Sequence, residues 1–221
     1  MKKWFFTLTL LFSFTLSQSN LQAQMFSDNP LMMNSFSTNE SSLINTESVP
    51  NEYLAVKLEQ IKGFDPQSMD KMQTALHVLE QVVNSEEFKN RIINFKNTKG
   101  ERAFASNKGL SNEQIYEVFM EGRETLLPNT PNEMNFYLSL YNSRWSRVIG
   151  YTDPSTSVIS INWKYFKNFT PSDVAGNLAH EWTHKIGFDH KSASERDSVP
   201  YAIGYIVVEL AQNYLKTNSM R

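Results

Sequence analysis

The segment TPSDVAGNLAHEWTHKIGFDH, residues 170–190, has the clearest local pattern in the chain. Thr170 is a preferred N-cap residue, Pro171 suits the first helical position, and Asp173 completes a capping box with the threonine. These residues predict a helix that runs to about Lys185. Its apolar face, which is expected to pack against the core, carries Val174, Ala175, Leu178, Ala179, Trp182 and Ile186.

The opposite face of this predicted helix carries His180 and His184. Residues four apart lie one turn from each other, with Cβ atoms roughly 6 Å apart, so both imidazoles can reach one metal ion. Glu181 follows the first histidine and leans toward the same cleft, where it can take a proton from a metal-bound water. Gly187 can adopt the left-handed conformation that turns the chain sharply, and this turn can bring His190 round as a third ligand.

Residues 180–190 match the pattern HExxHxxGxxH at every fixed position, and they contain three of the four histidines in the chain. In this motif the chain resembles the metzincin clan of zinc endopeptidases. The resemblance implies an α+β fold with a mixed twisted sheet, an active-site helix and a C-terminal helix. It also implies a zinc ion, Zn2+, held by His180, His184 and His190, and hydrolysis of peptide bonds by metal-activated water with Glu181 as general base.

The chain departs from the metzincin pattern beneath the zinc. Metzincins carry a methionine-containing turn there, whereas the only methionine after the third histidine is Met220. The segment SVPY, residues 198–201, occupies this region, so we expect Pro200, Tyr201 or Ile203 to form the floor of the site. In several metzincins a tyrosine after this turn binds the metal or steadies the oxyanion, which makes Tyr201 a second candidate catalytic residue. The alternative is an aromatic residue that only packs at a helix start.

Three other segments carry apolar residues at helical spacing. A stripe that begins after Ser68 predicts a helix, and its residues are Met69, Met72, Leu76, Leu79 and Val83. His77 lies beside this stripe and is expected at the surface. Ser111 opens a second capping box and predicts a helix that ends near Gly122. A stripe after Pro200 predicts the C-terminal helix, and its residues are Ile203, Ile206, Val207, Leu210 and Tyr214. Tyr201 and Tyr205 lie off this stripe.

Strands are predicted in the middle of the chain. Apolar and polar residues alternate over 136–141 and again over 157–163. The sequence Asp-Pro-Ser-Thr at 153–156 separates the second of these from 148–152, which predicts an antiparallel hairpin closed by a turn. In metzincins the substrate pairs with an edge strand ahead of the active-site helix, and residues 157–163 stand in that place.

Two alternative functions remain open at this stage. A gluzincin-like zinc peptidase would use Glu209 in place of His190 as the third ligand, although His190 is far closer along the chain to His184. A non-catalytic zinc-binding protein would keep the histidines without cleaving a substrate. Retention of Glu181 argues against that alternative, because a structural zinc site is usually closed by four protein ligands. Asp189 is expected to orient a neighbouring ligand rather than to bind the metal.

The N-terminal part of the chain differs in composition from the rest. A basic start and a short apolar run predict a secretory signal peptide over residues 1–23. Residues 24–50 hold six Ser, four Asn and two Pro with no Lys or Arg, which predicts a flexible linker or a pro-segment. Residues 51–221 then form the zinc metallopeptidase domain.

Composition excludes several classes of protein. The formal net charge is −2 and gives no sign of a nucleic-acid surface. The absence of cysteine excludes disulfides and a thiolate nucleophile. No second long apolar run follows the signal peptide, so no stable membrane anchor is expected. The sequence therefore predicts a secreted enzyme, extracellular or periplasmic, that acts as a monomer on a protein or peptide substrate.

Overall fold

A computed structural model describes residues 53–126, 131–153 and 155–219. Within these residues the chain forms a four-stranded mixed sheet and six helices. The strands are β1 (Ala55–Lys62), β2 (Glu133–Tyr141), β3 (Gly150–Thr152) and β4 (Val158–Asn162), and the helices are α1 (Pro66–Val83), α2 (Glu86–Ile93), α3 (Asn112–Glu121), α4 (Trp163–Phe166), α5 (Pro171–Lys185) and α6 (Val199–Asn218). The predicted signal peptide and linker, and also Met220, lie outside the described residues.

The sheet has the strand order β1-β2-β4-β3. β2 is parallel to both β1 and β4, and β3 is antiparallel to β4, so the predicted mixed sheet and the predicted hairpin are confirmed. The expectation that residues 157–163 form the edge strand is wrong. β4 pairs with β2 on one side and with β3 on the other, which leaves the three-residue strand β3 at the edge.

Local signals place the helix starts correctly. Both reciprocal hydrogen bonds of a capping box are present at Ser111 before α3 and at Thr170 before α5. α1 begins slightly earlier than its apolar stripe, because the side chain of Asp65 accepts a hydrogen bond from the Ser68 amide and caps it. His77 is exposed on α1, as predicted.

The core lies between the sheet and the helices α1, α5 and α6, which pack on one another. The predicted apolar face of α5 is buried, and the ring of Trp182 packs edge-on against Phe136 of β2 at a centroid distance of 6.0 Å. No helix in the described part of the chain is long and apolar enough to cross a membrane. α5 thus crosses the interior of the domain, with one histidine-bearing side left accessible.

α5 and α6 approach closely at two glycines. A methyl group on Gly176 would lie 2.2 Å from Cγ2 of Val208 and 2.7 Å from the carbonyl oxygen of Gly204. A methyl group on Gly204 would lie 3.2 Å from Cβ of His180. The absence of a side chain at both positions therefore brings the first turns of α6 against the histidine-bearing part of α5. The spacing of apolar residues gives no sign of this contact, because a glycine adds nothing to an apolar stripe.

Candidate metal centre

The structure brings together the three histidines of the motif. One ring nitrogen from each of His180, His184 and His190 lies within 4.8 Å of the others, so the group could hold a metal ion. The Nε2 atoms of His180 and His184 are 3.3 Å apart, as expected for residues one helical turn apart that point in the same direction.

The turn after α5 places the third histidine. Gly187 has a φ of +97°, in the region that favours glycine. The Gly187 amide donates to the His184 carbonyl at 3.0 Å, and the Phe188 amide donates to the Thr183 carbonyl at 2.8 Å. This pair of bonds is a Schellman motif. It reverses the chain so that the ring of His190 lies 5.1 Å from that of His184, between centroids.

Backbone carbonyls orient two of the imidazoles. Nδ1 of His184 lies 2.7 Å from the carbonyl oxygen of Phe188 and therefore donates its proton there, which leaves the Nε2 lone pair free for a metal. Asp189 lies farther from the same nitrogen, at 3.4 Å. His180 hydrogen-bonds the backbone of Pro200. Because proline has no N–H, a ring N–H of His180 must donate to the Pro200 carbonyl.

Burial keeps His180 in the neutral form that binds metals. It lowers the pKa of His180 to about 3, with further contributions from His184 and His190. Burial also lowers the pKa of His184, but contacts with Asp189 and Glu181 outweigh it, so that this pKa is raised. The pKa of His190 is lowered, mainly by burial. The cluster therefore combines two histidines that resist protonation with one that attracts it.

Glu181 lies beneath the edge strand. Its side chain is almost fully buried, and this burial raises the pKa of the carboxyl group. The Thr152 hydroxyl lies 3.0 Å from Glu181 Oε2 and 3.2 Å from the Glu181 carbonyl oxygen. A methyl group on Gly150 would lie 3.1 Å from Glu181 Oε1. β3 thus contacts the candidate base directly, although nothing in the local sequence around Thr152 indicates this role.

Tyr201 lies beside the cluster. Its ring centroid is 4.6 Å from those of both His180 and His190. The ring is half-buried, and burial, followed by the neighbouring Tyr205, raises the pKa of the Tyr201 hydroxyl. The segment 198–201 therefore borders the histidines through the Pro200 carbonyl and the Tyr201 ring.

Glu209 does not join the histidines. Arg91 holds its carboxylate through two hydrogen bonds, of 2.9 Å and 2.6 Å, and these contacts lower the pKa of Glu209. The group of possible ligands contains His190 and not Glu209. Geometry thus favours the histidine as the third ligand.

Comparison with protein-family models found no matching family, and comparison with curated proteins found no match.

Proposed function

We propose that this chain is a secreted, metzincin-like zinc endopeptidase. The observation that carries the proposal is the convergence of three imidazoles on one point, beside a buried carboxylate that an edge strand contacts. Three histidines are a common ligand set of catalytic zinc sites. Export is proposed from the N-terminal sequence pattern alone.

The donor set fits zinc. Two nitrogens that each bind a tetrahedral zinc at about 2.0–2.1 Å are separated by about 3.3 Å. The Nε2 atoms of His180 and His184 are 3.3 Å apart. Within the described residues, no further His, Cys, Asp or Glu joins the group. Three protein ligands leave a coordination position open, which suits catalysis better than a closed structural site.

The residues around the cluster can divide the work of peptide hydrolysis. A bound zinc ion would supply a Lewis acid that polarises the scissile carbonyl and acidifies a water molecule. Glu181 would accept the proton of the attacking water and later donate it to the leaving amine. The raised pKa of its buried carboxyl group suits this exchange, because a carboxylate whose pKa is closer to neutrality is a stronger base toward the attacking water. The Tyr201 hydroxyl would be a donor to the developing oxyanion.

The competing function is a non-catalytic zinc-binding protein. A site that only holds zinc has no use for a general base, yet Glu181 is buried with its carboxylate bonded to the edge strand. The cost of burying a carboxylate is considerable, so its presence beside three histidines favours catalysis.

The test is a peptide-library digest by zinc-loaded protein, with and without a chelator. Glu181→Gln should retain one zinc per chain and lose hydrolysis by about 100- to 10,000-fold. Glu117→Gln, on the exposed side of α3, is the control and should cleave at the parent rate. Zinc-loaded parent protein that cleaves no peptide would overturn the proposal in favour of the binding protein, and a Glu181→Gln variant with full activity would remove Glu181 as the base.

A further inference from the structure

The described residues also form a groove outside the histidine cluster. This groove of about 590 Å³ separates the end of α2 from the exposed side of α6. Phe95 and Lys96 line one wall, Tyr205 and Ile206 line the other, and Arg196 borders the groove from the segment that precedes α6. The groove has no part in the proposed hydrolysis.

Tyr205 connects the groove to the metal centre. Its ring stacks on that of Tyr201 at a centroid distance of 6.2 Å, and the Tyr201 ring lies 4.6 Å from that of His190. An extended peptide advances about 3.3 Å per residue, so these two steps together span up to about three residues. A substrate whose scissile bond is at the cluster can therefore place a side chain in the groove.

The acidic groups of the groove already have partners. Both carboxylate oxygens of Glu209 accept hydrogen bonds from Arg91. The Asp197 carboxylate accepts one bond from the Thr98 amide at 3.0 Å and another from the Thr98 hydroxyl at 2.6 Å. Within the described residues, neither carboxylate forms an ion pair with Lys96 or Arg196.

Two cations of the groove have no such partner. Lys96 and Arg196 are exposed, and within the described part of the chain their side chains form no hydrogen bond or ion pair. Counting Arg91, Lys96 and Arg196 against Asp197 and Glu209, the groove carries one excess positive charge. The apolar surfaces of Phe95, Tyr205 and Ile206 stand beside these cations.

We propose that the groove is a substrate subsite that selects an acidic side chain about three residues from the scissile bond. Lys96 and Arg196 would bind the carboxylate, and the apolar walls would contact the peptide stem. The position of the subsite relative to the scissile bond rests on the proposed function. The acidic character of the ligand rests on the groove alone.

Peptide pairs that differ only by Glu or Gln at one position, scanned along the substrate, test the proposal. The parent should cleave the Glu peptide about tenfold better in kcat/KM when the residue reaches the groove. The double variant Lys96→Gln/Arg196→Gln should lose this preference and cleave the Glu and Gln peptides with about equal kcat/KM. Lys216→Gln, near the C-terminal end of α6 and outside the lining of the groove, is the control and should retain the preference. Equal preferences in parent and double variant would overturn the proposal.

A binding measurement separates this inference from the proposed function. Fluorescence anisotropy of the labelled peptides on zinc-loaded Glu181→Gln protein should show about tenfold tighter binding of the Glu peptide, and added salt should weaken it. One outcome is that the parent cleaves no peptide, whereas the Glu peptide binds more tightly than the Gln peptide and the double variant lacks this difference. The subsite then stands and the peptidase proposal fails. If the parent cleaves peptides without discriminating Glu from Gln, the peptidase proposal stands and the subsite fails.

Discussion

The two sides of the histidine cluster differ in how the chain builds them. On one side, α5 and its Schellman turn provide all three imidazoles from residues 180–190. On the other side, β3 contributes Thr152, 29 residues from its partner Glu181, and α6 contributes Tyr201. The ligand side depends on helix geometry and one glycine turn. The opposite side depends on packing between separate elements, so substitutions on the two sides should affect different measurements.

The largest expected effect is on zinc affinity and belongs to the ligand side. Loss of a residue that hydrogen-bonds a metal ligand lowers metal affinity by roughly 10- to 100-fold. His190→Ala should weaken zinc binding by more than this, because it removes a ligand itself. Glu209→Ala should bind zinc like the parent, since Arg91 holds its carboxylate away from the cluster. Competition titration against a chromogenic chelator, in one buffer, measures both. The reverse result would replace His190 by Glu209 as the ligand and revive the gluzincin-like alternative.

On the packing side, Tyr201→Phe should lower kcat by roughly 10- to 1000-fold if the hydroxyl donates to the oxyanion. Zinc affinity should be unchanged, because the ring that packs on His180 and His190 is kept. Steady-state kinetics on a good peptide from the library digest measure the loss. An unchanged rate would assign Tyr201 to packing alone.

The contact between α5 and α6 can be tested without catalysis. An Ala in place of Gly within a helix is normally stabilising by about 1 kcal/mol. Gly176→Ala should instead reduce the free energy of unfolding by about 2 kcal/mol, because its methyl group would collide with Gly204 O and Val208. Gly204→Ala, where the nearest atom is 3.1 Å away, should cost less. Urea unfolding of the metal-free proteins ranks the two, and a stabilised Gly176→Ala variant would contradict the close approach.

A smaller effect is expected where β3 meets the base. Thr152→Val keeps the shape of the side chain but removes the hydrogen bond to Glu181, and should lower kcat by about tenfold with little change in KM. Thr152→Ser keeps the hydroxyl and should restore most of the rate. If Val and Ser variants behave alike, the contact serves packing and not the orientation of the base.

The weakest expected signal is the pH dependence of the metal-free protein. Folded His180 has a pKa of about 3 against an ordinary value of 6.5, so between these values the unfolded chain binds more protons. Its contribution to stability is complete above pH 6.5 and is lost as the pH falls. His184, whose pKa is raised, contributes in the opposite sense. Urea midpoints from pH 7 to 5 should therefore fall less steeply in His180→Gln than in the parent, and a steeper fall would contradict the neutral state of His180.

Several elements could not be predicted from the sequence for identifiable physical reasons. β1 does not show a regular alternation of apolar and polar residues. Its pairing with β2 shifts register between Leu58 and Gln60, so Ile61 falls outside the two-residue spacing that begins at Val56. α2 has only eight residues, too few for a clear stripe, although Ser85 caps it. The choice of β3 rather than β4 as the edge depends on the parallel pairing of β4 with β2, which no local feature reveals.

The sequence by itself determined the two helices that open with a capping box, the hairpin and the grouping of the three histidines, because each depends on interactions within a few residues. A capping box, a stripe at helical spacing and a glycine at a helix end act over one or two turns. Only the tertiary structure decided that β3 contacts Glu181, that Glu209 binds Arg91, and how the expected residues Pro200 and Tyr201 contact the histidines. These contacts join distant segments, and they depend on the packing of α6 with α5 and α2 and on the strand order of the sheet.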